Sequence, residues 1–176
     1  MSDMDTRILR LTSVALTREK QILLEDELER YANSTNFIIK SILQKHITKA
    51  KRAIELLGDA FAERFDKRPE YLADVVKTAR AEIGRHRRLA RTIRTMRNKT
   101  PFFKHGRMIL SYPLVVLNEK TLILHTVSEE IPIPFDKHSR NQNADDLAAL
   151  TRNPTLYRRV RITWNKQGYV DIDVQC

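Results

Sequence analysis

Eleven basic side chains lie between Lys77 and Arg107: Lys77, Arg80, Arg85, Arg87, Arg88, Arg91, Arg94, Arg97, Lys99, Lys104 and Arg107, with Glu82 as the single acid among them. The 176-residue chain has a formal net charge of +10, and this stretch alone supplies it. Residues 1–76 hold 13 basic and 13 acidic side chains, and residues 108–176 hold 8 of each. A cationic field this concentrated attracts a polyanion, and a phosphodiester backbone is the commonest one. Eight of the eleven are arginine, whose planar fork donates two parallel hydrogen bonds to a phosphate. A face meant only for solvent would interleave acids with bases.

Spacing sharpens the expectation. Leu72, Val76, Ala79, Ile83, Ala90 and Ile93 recur with helical periodicity, so residues 70–96 read as one helix about 40 Å long. At about 100° per residue, Arg80, Arg87, Arg91 and Arg94 fall within about 60° of one another, with the apolar stripe about 100° away. Arg85 and Arg88 project elsewhere. Just beyond this helix, Phe102, Phe103 and Tyr112 sit among Lys99, Lys104 and Arg107. Aromatic rings beside cations can stack bases next to phosphate contacts, although at least one of the paired phenylalanines is expected in the core. The expected nucleic-acid contacts are Arg80, Arg87, Arg91, Arg94, Arg97, Lys99, Phe102, Phe103, Lys104 and Arg107, with Asn36 from the polar run Asn33-Ser34-Thr35-Asn36. That run is expected either to kink its helix or to touch a ligand, or else to be solvated.

Other chemistry finds little support. One cysteine, Cys176, allows neither an intrachain disulfide nor a Cys-based zinc site. The five histidines include no pair four residues apart on a helix. There is no phosphate-cradling glycine-rich motif and no nucleophile elbow. A metal-dependent nuclease built on Asp136, Asp145, Asp146, Asp171 and Asp173 is the remaining catalytic reading. Asp171 and Asp173 share one face of a strand that has no flanking glycine. No catalytic residue, metal or cofactor is therefore expected.

The elements that must position these residues read as strand, helical block, strand block. Thr6–Leu16 alternates as a strand. A helix is expected from about Arg18, behind Thr17 as N-cap, to Gly58, and a second from Glu70 to Met96 after Pro69. Between them, residues 59–69 read as a connector or short helix. Strands are expected at 108–112, 114–117, 121–127, 131–135, 157–164 and 169–174, with a short helix from Asp145 to Leu150. The first strand most simply pairs with the later ones. The expectation is an α+β fold: a small antiparallel β barrel of residues 1–17 and 99–176, with an inserted helical lobe of two long helices at 18–98. No run is long and apolar enough for a membrane span. The polar, acidic N-terminus lacks the apolar core of a signal peptide, so an intracellular setting is expected.

The order of these motifs resembles the N-terminal half of the TnpB-like (OrfB-type) transposon-encoded RNA-guided nucleases, relatives of type V CRISPR effectors. The similar stretches are Ile8-Leu9-Arg10-Leu11, then Leu16-Thr17-Arg18-Glu19-Lys20-Gln21, the Asn36-Phe37 pair, the Ala- and Arg-rich helix of 71–97, Pro101-Phe102-Phe103-Lys104 through Arg107-Met108-Ile109-Leu110, and Gly168-Tyr169-Val170-Asp171-Ile172-Asp173-Val174. The resemblance spans about Arg7 to Val174. It implies an OB-like, wedge-type β barrel with an inserted recognition lobe, together holding a guide RNA and the RNA–DNA heteroduplex in a prokaryotic cytoplasm. The nuclease half of that family, which opens with a G-[I/V]-D-x-G strand, does not follow Cys176, and its Cys-rich zinc element is absent. The implied role is non-enzymatic: the holding half of an effector, serving a separately encoded nuclease subunit or binding without cutting. Two alternatives stand beside it, a structural subunit that docks a protein partner through its helices and a truncated, inactive transposase-related product.

Overall fold

Alternation in the first strand decides which of its side chains are buried. In the computed structural model, which describes residues 7–176, β1 (Ile8–Thr12) buries Leu9 and Leu11 and leaves Ile8 and Arg10 exposed. The remaining elements are α1 (Arg18–Lys45), α2 (Ala50–Arg64), α3 (Pro69–Thr92), β2 (Arg107–Leu110), β3 (Val115–Leu117), β4 (Thr121–His125), β5 (Glu130–Pro134), α4 (Lys137–Gln142), α5 (Ala144–Arg152), β6 (Arg159–Asn165) and β7 (Tyr169–Gln175). The fold is α+β, with every strand pair antiparallel.

The chain divides into two compact units. One holds the described residues up to Glu27 together with Gly106–Cys176; the other is Leu28–His105. In the first unit β1 pairs with β7, setting Leu9 opposite Val174 and Leu11 opposite Ile172, so the opening strand does join the closing one. The strands form a four-stranded sheet, β1-β7-β6-β2, and a three-stranded sheet, β3-β4-β5. The expected closed barrel is not formed among the described residues. A single bridge, Ser13 to Phe135, connects the two sheets, and no pairing joins β2 to β3. The outer edge of β5 carries Pro132 and Pro134, which have no N–H to donate to another strand. Gly168 closes the β6–β7 hairpin at φ +95°, a conformation that side chains with a Cβ rarely adopt.

The helical unit contains three helices where two were expected. The first breaks after Lys45. His46 adopts φ +52°, and the Ile47 N–H donates back to the Ile42 carbonyl at 3.1 Å. That six-to-one bond is the helix-terminating Schellman pattern, with buried Ile47 and Ile42 as its usual apolar pair. Residues 50–64, expected partly as connector, form α2. The polar run lies inside α1 without interrupting it. Ser34 and Thr35 are fully buried, and both hydroxyls donate to the Tyr31 carbonyl, at 2.9 and 2.8 Å. Tyr31 lies at the centre of the core, its hydroxyl 2.7 Å from Thr78 Oγ1 and its ring edge-on to Tyr71 and Phe103. Among the described residues no helix is long and apolar enough to cross a membrane.

Candidate nucleic-acid interface

α3 is held by what surrounds its first turn. Pro69 starts the helix and Glu70 faces its N-terminal dipole. Just before it, Asp66 is enclosed, its side chain 0% exposed. Its carboxylate accepts four hydrogen bonds: from Arg30 Nη1 at 2.9 Å, and from the Arg68 backbone N–H, Nε and Nη2 at 2.9, 3.0 and 2.9 Å. Burial pushes this carboxyl up, but the Arg68 hydrogen bonds and the charges of Arg68 and Arg30 outweigh it and hold the group below its ordinary value. Both guanidinium groups also lie over the Tyr71 ring, 5.2 and 5.4 Å from its centroid. The cluster ties α1 to the α2–α3 connection and so fixes the start of the basic helix.

Leu72, Val75, Val76, Ala79 and Ile83 of α3 are buried. On the flank of that stripe Lys77, Arg80, Arg87 and Arg91 are exposed, within an arc of about 80° at 100° per residue. Lys77, Arg80 and Arg87 rim a groove of about 370 Å³ with Gly84 and Ala81 in its wall and Ile47 and Thr48 on the opposite side, and Arg91 lies one helical turn past Arg87. Arg80 Nη2 donates to the Thr48 carbonyl at 3.4 Å. Lys77 was not among the expected contacts, although its spacing of three residues from Arg80 carries the signal.

Several expected contacts are placed differently. Arg94 is not on the helix face, because α3 ends at Thr92 with Ile93 extended (φ −111°, ψ 106°) and Arg94 starts a 3-10 turn. Arg97 folds back and donates to the carbonyls of Ala90 and Arg91 at 2.9 and 3.4 Å, capping the helix. Phe103 is 0% exposed and belongs to the core, so its ring is not open to a base. Asn36 holds it there: Phe103 N–H donates to Asn36 Oδ1 at 2.8 Å and Asn36 Nδ2 donates to the Phe103 carbonyl at 3.0 Å. The Asn36 amide is thus engaged with the backbone rather than offered to a ligand. Phe102 is 66% exposed, with Lys99 and Lys104 exposed beside it in sequence. Arg107 opens β2 in the other unit, opposite Thr163. Arg85 pairs with Glu82 at 3.0 Å.

The charge follows the division of the chain. Leu28–His105 carries 19 basic and 8 acidic side chains, +11, and the β unit 13 and 14, −1. The acids weighed for metal chemistry are dispersed. Asp136 caps α4, Asp146 pairs with Arg7 at 2.6 Å, Asp173 pairs with Arg161 at 2.7 Å, and Asp171 is exposed. No group of three or more His, Cys, Asp or Glu that could hold a metal ion occurs among the described residues. No protein-family model matches the chain, and no curated protein matches it.

Proposed function

We propose that this chain is a nucleic-acid-binding protein whose helical unit holds a phosphate backbone along α3. The observation that carries the reading is the exposed stripe Lys77–Arg80–Arg87–Arg91, the first three of which rim one groove, on a unit at +11. Regularly spaced cations on a helix contact successive phosphates without reading sequence. A guide RNA or an RNA–DNA heteroduplex, recognised by backbone and A-form shape, fits such a stripe, with sequence left to base pairing. Under the TnpB-like resemblance the β unit is the wedge-type platform, and the role proposed for these residues is to hold the nucleic acid. The setting is the cytoplasm of a prokaryote.

The test replaces Lys77, Arg80, Arg87 and Arg91 together by Gln and measures affinity for an RNA duplex and an RNA–DNA hybrid from 50 to 300 mM salt. If each contacts one phosphate, the slope of log K against log salt becomes shallower by about 0.9 per contact, so by roughly 3 to 4 units, equally across sequences. Gln keeps helix propensity close to that of Arg and Lys. Replacing Arg85 and Arg97, already engaged by Glu82 and by the end of α3, changes the slope by less than about one unit. An unchanged slope in the quadruple variant, or no binding by the wild type at low salt, overturns the reading and favours an acidic protein surface as the partner.

A further inference from the structure

Phe102 is held out of the core by the residue that follows it. Asn36 clamps both backbone groups of Phe103 and the Phe103 ring packs edge-on to Tyr31, so successive side chains on this extended stretch part company, one buried and one exposed. The exposed ring is shared by two hollows of the helical unit. One, of about 520 Å³, runs along α1 past Ile39 and Leu43 to Pro101 and Phe102, with walls that are mostly apolar. The other, of about 390 Å³, is lined by Phe102, Lys99, Lys104, His86 and the Glu82–Arg85 ion pair, so the two lysines give it a net positive charge. Both are of the size of small-ligand pockets, roughly 300–1,000 Å³. An apolar hollow and a cationic one meeting at an exposed aromatic ring match the two halves of a nucleotide.

We infer that Phe102 is the stacking platform for one unpaired base of a bound strand, the base entering the apolar hollow along α1 and its flanking phosphates lying on Lys99 and Lys104. The inference rests on the nucleic-acid reading above and adds to it a site for unpaired nucleotides, distinct from the backbone stripe. Every base offers a π face, so the platform is sequence-tolerant. Gln44, which lines the apolar hollow, brings a side-chain amide able to meet a base edge. A single stack is too weak to retain a free nucleotide, so the base arrives attached to a strand.

The experiment compares Phe102→Leu and Phe102→Tyr with the wild type on three probes: a short single-stranded RNA, the same RNA with one abasic position at its centre, and its blunt duplex. Loss of one base stack weakens binding roughly 5- to 150-fold. F102L is expected to lose that much on the single strand, to bind the blunt duplex as the wild type does, and to bind intact and abasic strands alike. F102Y is expected to restore the single-strand affinity. Wild-type affinity of F102L for the single strand, alongside intact duplex binding, overturns the stacking site and leaves the backbone reading standing. A uniform loss on all probes that F102Y does not restore also overturns it. Failure of the wild type to bind any probe removes both.

Discussion

Asp66→Asn separates what the Asp66 carboxylate does from what its volume does. Asn keeps one acceptor oxygen and turns the other position into an N–H₂ group facing Arg30 Nη1 and Arg68 Nη2, which themselves donate. The Asp66 side chain is 0% exposed, while those of Arg30 and Arg68 are 22% and 24% exposed. Removing one partner of a buried pair costs about 3–5 kcal/mol. Because water reaches both guanidinium groups, the lower end, about 3 kcal/mol, is expected here. For a chain of this length that lowers the melting temperature by roughly 6–12 °C. The pH dependence follows from the depressed carboxyl. The unfolded carboxyl titrates near 3.9, so the stabilisation is complete above about pH 5 and is lost as the pH falls through and below 4, where the folded group finally takes its proton. The assay is urea denaturation followed by ellipticity at 222 nm, where the helices dominate, at several pH values. The gap between wild type and D66N should be widest near neutrality and narrow toward pH 2–3. A gap under 1 kcal/mol at pH 7, or one that does not change with pH, would refute the argument that this ion cluster anchors α3.

Asn36→Leu is expected to cost about 1–3 kcal/mol, since Phe103 loses both hydrogen bonds from the Asn36 amide; denaturation midpoints check it, and Asn36→Gln should recover little because its amide sits one bond farther out. Gly168→Ala should destabilise the β unit by about 1–2 kcal/mol, because Gly168 sits at φ +95° and an added Cβ would lie 3.1 Å from Gln21 Nε2. Trp164 of β6 offers a fluorescence signal within that unit to follow the loss.

Much of the fold is written in short-range pattern. Alternation in β1 and β7 gives their buried faces, and the periodicity of Leu72, Val76, Ala79 and Ile83 gives the core side of α3. The exposed stripe on that helix follows from the same periodicity. The misplaced features depend on contacts between residues far apart in sequence or on conformations that residue type signals weakly. Nothing local marks His46 as a left-handed terminator, since glycine or asparagine is the usual sign. The end of α3 at Thr92 sits within a pattern that reads as continuous helix. Phe102 and Phe103 are equivalent as letters, and it is contacts from far along the chain, Asn36 on the Phe103 backbone and Tyr31 on its ring, that go with the burial of Phe103. Asp66 looks like one more surface acid until Arg30 and Arg68 close over it.

The pairing of β1 with β7 has a consequence for synthesis. The N–H of Val170 donates to Ser13 Oγ across 157 residues of sequence. At about 5–20 residues per second, the ribosome needs roughly 10–30 s between delivering one partner and the other. Through that interval Leu9 and Leu11 have no sheet to enter. Leu28–His105, by contrast, is one uninterrupted stretch whose contacts are all within reach once His105 has emerged. The basic unit is therefore expected to mature first, so that nascent chains would carry a finished cationic surface while their β unit still waits for its last strand.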